Sequence, residues 1–166
     1  MDKLSKILIL VGAVLVFGVT SYSIFEKESL LKNGKEIYLK LAPIDPRSLM
    51  QGDYMALRFE ISRKIKEAIK KERKADIEGL AILKLDSKTV AEFKALYRDG
   101  INIAQDETLI KYRLDRNRVK LTTDSYFFQE GQAKRYESAK YGLFRVNPAT
   151  GEAILTSLAD ANLSKL

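Results

Sequence analysis

Residues 54–61 alternate between two faces with a period of two, as a half-buried β-strand requires. One face is wholly apolar and consists of Met55, Leu57, Phe59 and Ile61. The opposite face consists of Tyr54, Ala56, Arg58 and Glu60. Gly52 and Asp53 stand directly before this segment and predict a tight turn that leads into the strand.

The hydrophobic period changes to that of a helix after Phe59. Apolar residues then recur on one helix face, at Ile61, Ile65, Ala68 and Ile69. Ser62 is predicted to be the N-cap of this helix. The rest of its circumference is basic and carries Arg63, Lys64, Lys66, Lys70, Lys71, Arg73 and Lys74. A solvated helix face and a surface for anionic lipid or an acidic partner both explain this pattern.

Further strand patterns come in pairs that are separated by turns. Residues 80–85 and 89–97, 108–114 and 119–122, and 141–146 and 153–157 form three predicted hairpins. Another strand is predicted over residues 36–42, where Ile37, Leu39 and Leu41 alternate with the other residues. It should end there, because Pro43 cannot lie in the middle of a sheet. A short helix over residues 132–139, or an irregular crossover, precedes the third hairpin. These elements predict a mainly β (α+β) fold, with an antiparallel curved sheet or partly open barrel of hairpins and one or two helices.

The N-terminal segment is apolar, and residues 7–25 carry no charge. As a helix they would extend ~28 Å, enough to cross the hydrocarbon core of a bilayer. We therefore predict a cytoplasmic N-terminus at residues 1–6, a transmembrane anchor at 7–25, a polar tether at 26–35 and an extracytoplasmic β-rich domain at 36–166. Lys3 and Lys6 set this orientation through the positive-inside rule. A cleaved signal peptide and a buried core helix are the alternatives; the length of the apolar region and the lack of a small-residue cleavage pattern favour the anchor.

Composition narrows the chemistry that the chain can perform. The sequence contains no cysteine and no histidine, and its net charge is +7. Disulfides, thiolate chemistry and histidine-based metal sites are therefore excluded, and catalysis would fall to carboxylates, Lys, Ser or Tyr. No run of acidic residues resembles a calcium loop. We expect no cofactor, no metal and, for a domain outside the membrane, no nucleic acid.

The Gly52-Asp53-Tyr54 triplet, followed by Leu57 and Phe59, resembles the motif of a bacterial membrane-anchored family named after Gly-Asp-Tyr-x-x-Leu-x-Tyr. Phe59 departs from the motif, because it lacks the hydroxyl of the final tyrosine. Asp45-Pro46-Arg47, Tyr126-Phe127 and Glu130-Gly131 resemble other recurrent stretches of the same family. The resemblance implies a single N-terminal span in the bacterial cytoplasmic (inner) membrane, a periplasmic domain and frequent encoding near multi-span membrane proteins. It implies no catalytic residue, because none is assigned in the family.

A polar and aromatic cluster is the candidate binding site, with Tyr54 and Tyr126 as aromatic walls. The candidate binding residues are Asp45, Arg47, Gly52, Asp53, Tyr54, Tyr126, Glu130 and Gly131. A buried ion pair of Arg47 with Asp53 or Glu130 would explain the charged members without any ligand. The sequence leaves both interpretations open.

Three functional hypotheses follow from these patterns. The leading one is a non-enzymatic adaptor that binds an integral-membrane partner through residues 45–59 and 124–137. The second is an enzyme that acts on envelope material through Asp53 and Glu130. The third is docking on anionic lipid through the basic helix at residues 63–74.

Overall fold

The computed structural model describes residues 3–42, 50–51, 54–72 and 77–166. Its first element is helix α1 (Lys3–Asn33), whose part from Ile7 onward is long and apolar enough to span a membrane. Residues 26–33, which we expected to form a tether, continue this helix. The helix ends at Gly34, whose amide donates to the carbonyl oxygen of Leu30 at 2.9 Å.

The rest of the described chain is mainly strand. Two further helices are α2 (Glu60–Glu72) and α3 (Ala133–Tyr136). The strands are β1 (Lys35–Lys40), β2 (Met50–Gln51), β3 (Tyr54–Ala56), β4 (Glu78–Leu85), β5 (Ala91–Leu96), β6 (Glu107–Asp115), β7 (Arg118–Lys120), β8 (Ser125–Phe127), β9 (Tyr141–Val146) and β10 (Ala153–Ala159).

The strands form antiparallel sheets, and all three predicted hairpins are confirmed as the pairs β4–β5, β6–β7 and β9–β10. The sheet β1-β9-β10 meets the sheet β5-β4-β6-β7 where the amide of Tyr38 donates to Thr89 at 3.0 Å. A second link joins the amide of Lys111 to the carbonyl of Gly151 at 2.7 Å. Together they curl into a half-barrel, and the predicted mainly β fold is confirmed. The described part of the chain also contains a small sheet of strand order β2-β3-β8.

Helix α2 packs against β1, β5 and β7 and contributes its apolar stripe to the core. Ile61, Ile65 and Ile69 are buried, as the helical period predicted. The N-cap prediction is wrong, because the helix begins at Glu60 and Ser62 lies inside its first turn. The bridge between Phe59 and Leu41 fixes where the extended backbone ends, one residue before the helix.

The alternation over residues 54–61 persists in burial although the strand itself ends at Ala56. The residues of the predicted apolar face are all buried: Met55, Leu57, Phe59 and Ile61. The Phe59 ring packs against the Phe144 ring with centroids 5.3 Å apart. Phe59 thus lies in the core, where its apolar ring is well accommodated.

The direction of β9 shows which end of the domain lies nearest the apolar part of α1. Tyr141 at its start pairs with Lys40, and Val146 at its end pairs with Lys35, next to the end of α1. The following turn leads to Glu152, whose carboxylate binds Lys27 of α1 at 2.9 Å. From Tyr141 to Glu152 the chain therefore runs towards the N-terminal part of α1. Because β1 is antiparallel to β9, β1 runs in the opposite direction, away from α1. We call the end around Glu26 and the β9–β10 turn the membrane end, because it lies nearest the part of α1 that is long and apolar enough to span a membrane. The end around Lys40 is the distal end.

Candidate recognition surface

The small sheet brings together the two sequence stretches that were predicted to form one site. Strands β3 and β8 are antiparallel neighbours, with Tyr54 opposite Phe127 and Met55 opposite Tyr126. The amide of Leu57 also donates to the carbonyl of Asp124 at 2.7 Å, which extends the pairing. Because Leu41 bridges Phe59 just beyond β1, this sheet lies at the distal end of the domain.

Four of the predicted binding residues lie outside the described part of the chain. They are Asp45, Arg47, Gly52 and Asp53. The proposed convergence of Asp53 with Glu130, and the alternative ion pairs of Arg47, therefore stay predictions.

Tyr54 and Tyr126 do not form the two walls of one site. Directly paired residues share a sheet face and successive residues alternate, so Tyr54 lies beside Phe127 while Tyr126 lies on the other face beside Met55. The Tyr54 and Phe127 rings are 5.7 Å apart between centroids. Phe127 is 75% exposed, and Tyr54 is partly buried. We call this pair the aromatic surface.

The opposite face of the small sheet packs onto a second aromatic group. The Tyr136 ring lies 5.2 Å from the Tyr126 ring and 5.1 Å from the Phe128 ring, between centroids. Burial raises the pKa of Tyr126, and a hydrogen bond with Tyr136 raises it further. Arg135 lies over the Tyr136 ring at 5.9 Å from its centroid. These contacts fix β8 against the core, so the backbone that carries Phe127 is held in place.

The other two predicted residues follow β8 in an exposed turn. Glu130 is exposed, and Gly131 has a φ of +82°, a conformation that favours glycine. The predicted helix over residues 132–139 is present but shorter, since α3 spans Ala133–Tyr136. Glu130 therefore follows Phe127 by three residues at the distal end, and its side chain is exposed to solvent.

Most of the described basic residues of α2 are at the surface. Arg63, Lys70 and Lys71 are exposed, and Lys64 and Lys66 are partly buried. Arg73 and Lys74 lie outside the described residues. The two ends of the helix are held by acidic residues, through Glu60 with Lys40 at 3.3 Å and Glu72 with Arg98 at 3.0 Å.

A groove at the membrane end was not predicted from the sequence. It has a volume of about 390 Å³ and lies between α1 and the neighbouring strands, with Glu26, Glu78, Lys111 and Glu152 among its lining residues. Glu152 is paired with Lys27, and Glu78 lies 3.9 Å from Lys111. Among the residues that the structure describes, no group of three or more acidic side chains could hold a metal ion.

Sequence reasoning also missed Phe127 as the exposed partner of Tyr54. The pattern that could have found it is the alternation of Ser125 and Phe127 with Tyr126 and Phe128, which is that of a short strand. Three consecutive aromatic residues concealed this alternation, because every position in the run is apolar. The register with β3 resolves it.

Comparison with known proteins agrees with the motif. The family model described as GDYXXLXY protein matches residues 16–158, which is most of the chain. Among the curated proteins and the solved structures, none matches the sequence significantly. The match covers the end of the apolar helix segment, the half-barrel and the small sheet. The chain therefore belongs to the GDYXXLXY protein family.

Proposed function

We propose that this protein is a membrane-anchored adaptor that binds the extramembrane part of an integral-membrane partner through its aromatic surface. Helix α1 is the single-pass anchor, in the inner membrane of a bacterium. Lys3 and Lys6 keep the N-terminus in the cytoplasm, and the domain after α1 is periplasmic. The observation that carries this proposal is the exposure of Phe127, 75% of whose surface is open to solvent beside Tyr54.

An exposed phenylalanine on a fixed backbone is suited to binding. Removing a phenylalanine side chain from water contributes ~1.5–3 kcal/mol. The Tyr54 ring beside it offers a second flat surface, and aromatic residues are enriched at the energetically dominant positions of interfaces. The Tyr126, Phe128 and Tyr136 contacts behind the sheet reduce the ordering cost that a mobile segment would incur on binding.

The position of the aromatic surface defines the kind of partner. It lies beyond the far end of β1, a six-residue strand that extends about 20 Å from the end of α1. A partner confined to the bilayer could not reach it. The partner is therefore a membrane protein with a folded segment or long loop outside the bilayer.

The test is affinity capture of the full-length protein from membranes in mild detergent, comparing Phe127→Asp with Ile101→Asp. Ile101 is 41% exposed in the loop between β5 and β6, so the second variant places the same charge at an exposed apolar position elsewhere. We expect Phe127→Asp to reduce capture of one multi-span protein at least tenfold, since a buried unpaired charge costs more than ~1.4 kcal/mol. Ile101→Asp should leave the capture unchanged.

Both variants should unfold at the denaturant concentration of the wild type, because exposed substitutions change stability by only about 0.5 kcal/mol. Equal capture by Phe127→Asp and by the wild type would rule out the aromatic surface as the binding site. Photocrosslinking from position 127 identifies the contacted protein. Crosslinks to lipid alone, or none in native membranes, would contradict the adaptor function.

A further inference from the structure

The β6–β7 hairpin carries three exposed arginines. Arg113 lies on β6, Arg118 begins β7, and Arg116 lies in the two-residue turn between them. Arg116 and Asn117 have φ angles of 42° and 68°, the left-handed backbone of the tight turns that join twisted strands. The turn therefore holds the backbone of Arg116 at the tip of the hairpin.

Strand β6 leads from the end of α1 towards the membrane. Lys35, the first residue of β1, donates from Nζ to the backbone oxygen of Glu107 at the start of β6, at 3.2 Å. Lys111, four residues later, lines the groove together with Glu26, the first charged residue after the apolar segment. This part of β6 covers about 13 Å. The hairpin follows Lys111 directly, so its base lies at the level where α1 leaves its apolar segment. That level is the head-group layer, which is about 5–7 Å thick on each side of a bilayer.

Helix α2 also runs from the distal end to the membrane end. Its first residue, Glu60, binds Lys40 at the distal end, and its last residue, Glu72, binds Arg98. Arg98 follows Tyr97, whose amide donates at 2.8 Å to Leu80, a residue that lines the groove at the membrane end. Lys70 and Lys71 in the last turn therefore lie near the membrane. Arg63 and Lys64 lie in the half of the helix that is farther from it.

We propose that the membrane end of the domain docks on the phosphate groups of anionic phospholipids in the bilayer that α1 crosses. The docking residues are Arg116 and Arg118 of the hairpin, with Lys70 and Lys71 of α2, whereas Arg113 is already paired with Glu78 at 3.8 Å. Their positive charge is complementary to anionic head groups, and the surface is continuous with the anchor. Lipid contact thus belongs to one end of α2 and to the hairpin, and it is independent of partner binding at the distal end.

An exposed apolar residue lies beside this basic surface. Ile77 is 68% exposed, and its carbonyl oxygen accepts from the amide of Leu114 at 2.7 Å, which fixes it next to the end of β6. Exposure of this apolar side chain to water is unfavourable, whereas at the lipid surface it would lie between head groups and be partly removed from water. A label at position 77 can therefore report docking while every basic side chain of the surface is kept.

The experiment uses the natural absence of cysteine, which allows one label at one chosen position. Ile77→Cys reports on the membrane end, and Asn162→Cys, in the exposed turn after β10, reports on the distal end. Each full-length protein is labelled with a fluorophore and reconstituted in nanodiscs of phosphatidylcholine, with or without phosphatidylglycerol. Lipids with a quencher on the head group are included in both.

We expect the label at position 77 to be quenched more in the anionic nanodiscs, and the label at 162 to be unaffected. Raising the salt to ~1 M, where the Debye length is about 3 Å, should remove the difference. Arg116→Glu with Arg118→Glu should abolish it, since each arginine changes the ratio of docked to undocked domain by about fivefold. The charge-matched control Arg63→Glu with Lys64→Glu should preserve it.

Three results would overturn the proposal. The first is equal quenching at position 77 in neutral and anionic nanodiscs at low salt. The second is the same anionic-lipid effect at positions 77 and 162. The third is an equal loss in the hairpin variant and the Arg63 and Lys64 control, because that would place the contact along the whole of α2. The salt dependence of quenching at position 77 tests the electrostatic contact in a protein that keeps all its arginines, so it does not depend on how the charge variants fold.

Discussion

The α1–β1 junction and the distal end of the domain are held by different kinds of contact. At the junction, where α1 passes into β1, Arg145 donates to the carbonyl of Gly34 at 3.0 Å and binds Glu36 at 2.9 Å. At the distal end, the small sheet is held by aromatic packing around Tyr136. The first kind is directional and fixes the angle of the helix to the domain, whereas the second fixes β8 through the packing of aromatic rings.

This difference matters for how the two ends act. An anchor with a long flexible tether would leave the domain free to rotate, but Leu30 is buried and Lys27 is paired with Glu152. The helix is therefore held against the domain, and in the proposed anchor it would set which surface faces the bilayer. The exposed apolar ring of Phe127 lies at the distal end, away from α1, where we propose that a protein partner binds.

The strongest test of the difference compares a glycine at the junction with a glycine at the distal end. A Cβ on Gly34 would lie 2.5 Å from the Leu30 carbonyl oxygen, so Gly34→Ala should destabilise the protein by about 2–3 kcal/mol. A Cβ on Gly131 would meet nothing within 4 Å, and only its φ of +82° opposes alanine, at a cost of about 1 kcal/mol. Denaturant unfolding of the full-length proteins in detergent measures both. Equal losses would mean that the junction relaxes around the new methyl group.

A smaller effect is expected from Tyr136→Phe at the distal end. This variant removes the hydrogen bond to Tyr126 and should cost about 1 kcal/mol of stability. The pKa of Tyr126 should fall but stay above its ordinary value, because burial, the larger cause, is retained. Nuclear magnetic resonance of isotope-labelled tyrosine measures the titration. An unchanged pKa would show that the hydroxyl of Tyr136 has no influence on Tyr126.

The smallest effect concerns pH and Glu107, near the junction. Its carboxylate is buried and bonded to Lys94 and to the amide of Ala104, and the bond with Lys94 is the main reason that its pKa is lowered. Its stabilising contribution is therefore complete above the unfolded-state pKa of about 4.3 and is lost as the pH falls through the lower folded-state pKa. The contribution is small because Lys94 is half exposed to solvent.

Glu107→Gln should lower stability at neutral pH and leave it unchanged at the acid end, so the two curves converge as the pH falls. Denaturant midpoints measured across this range give the comparison. Glu78→Gln removes an exposed carboxylate 3.9 Å from Lys111 and is the control for the loss of one negative charge. A constant difference between wild type and Glu107→Gln at every pH would contradict the ion pair.

The sequence by itself determined the elements whose contacts are local. The three hairpins follow from paired strand patterns around turns, and the buried stripe of α2 follows from Ile61, Ile65 and Ile69 at helical spacing. The motif residues also identified the family. These features depend on the hydrophobic period and on turn residues, and both can be identified from consecutive residues in the sequence.

Only the tertiary structure decided the features that depend on partners distant in the chain. Ser62 lost its predicted N-cap role because Leu41 bridges Phe59, and residues 26–33 stayed helical while Leu30 became buried. The face of Tyr126, and with it the exposure of Phe127, was set by the register of β8 on β3. An apolar run such as Tyr126-Phe127-Phe128 has no polar residue to mark its outer face, so the neighbouring strand makes that choice.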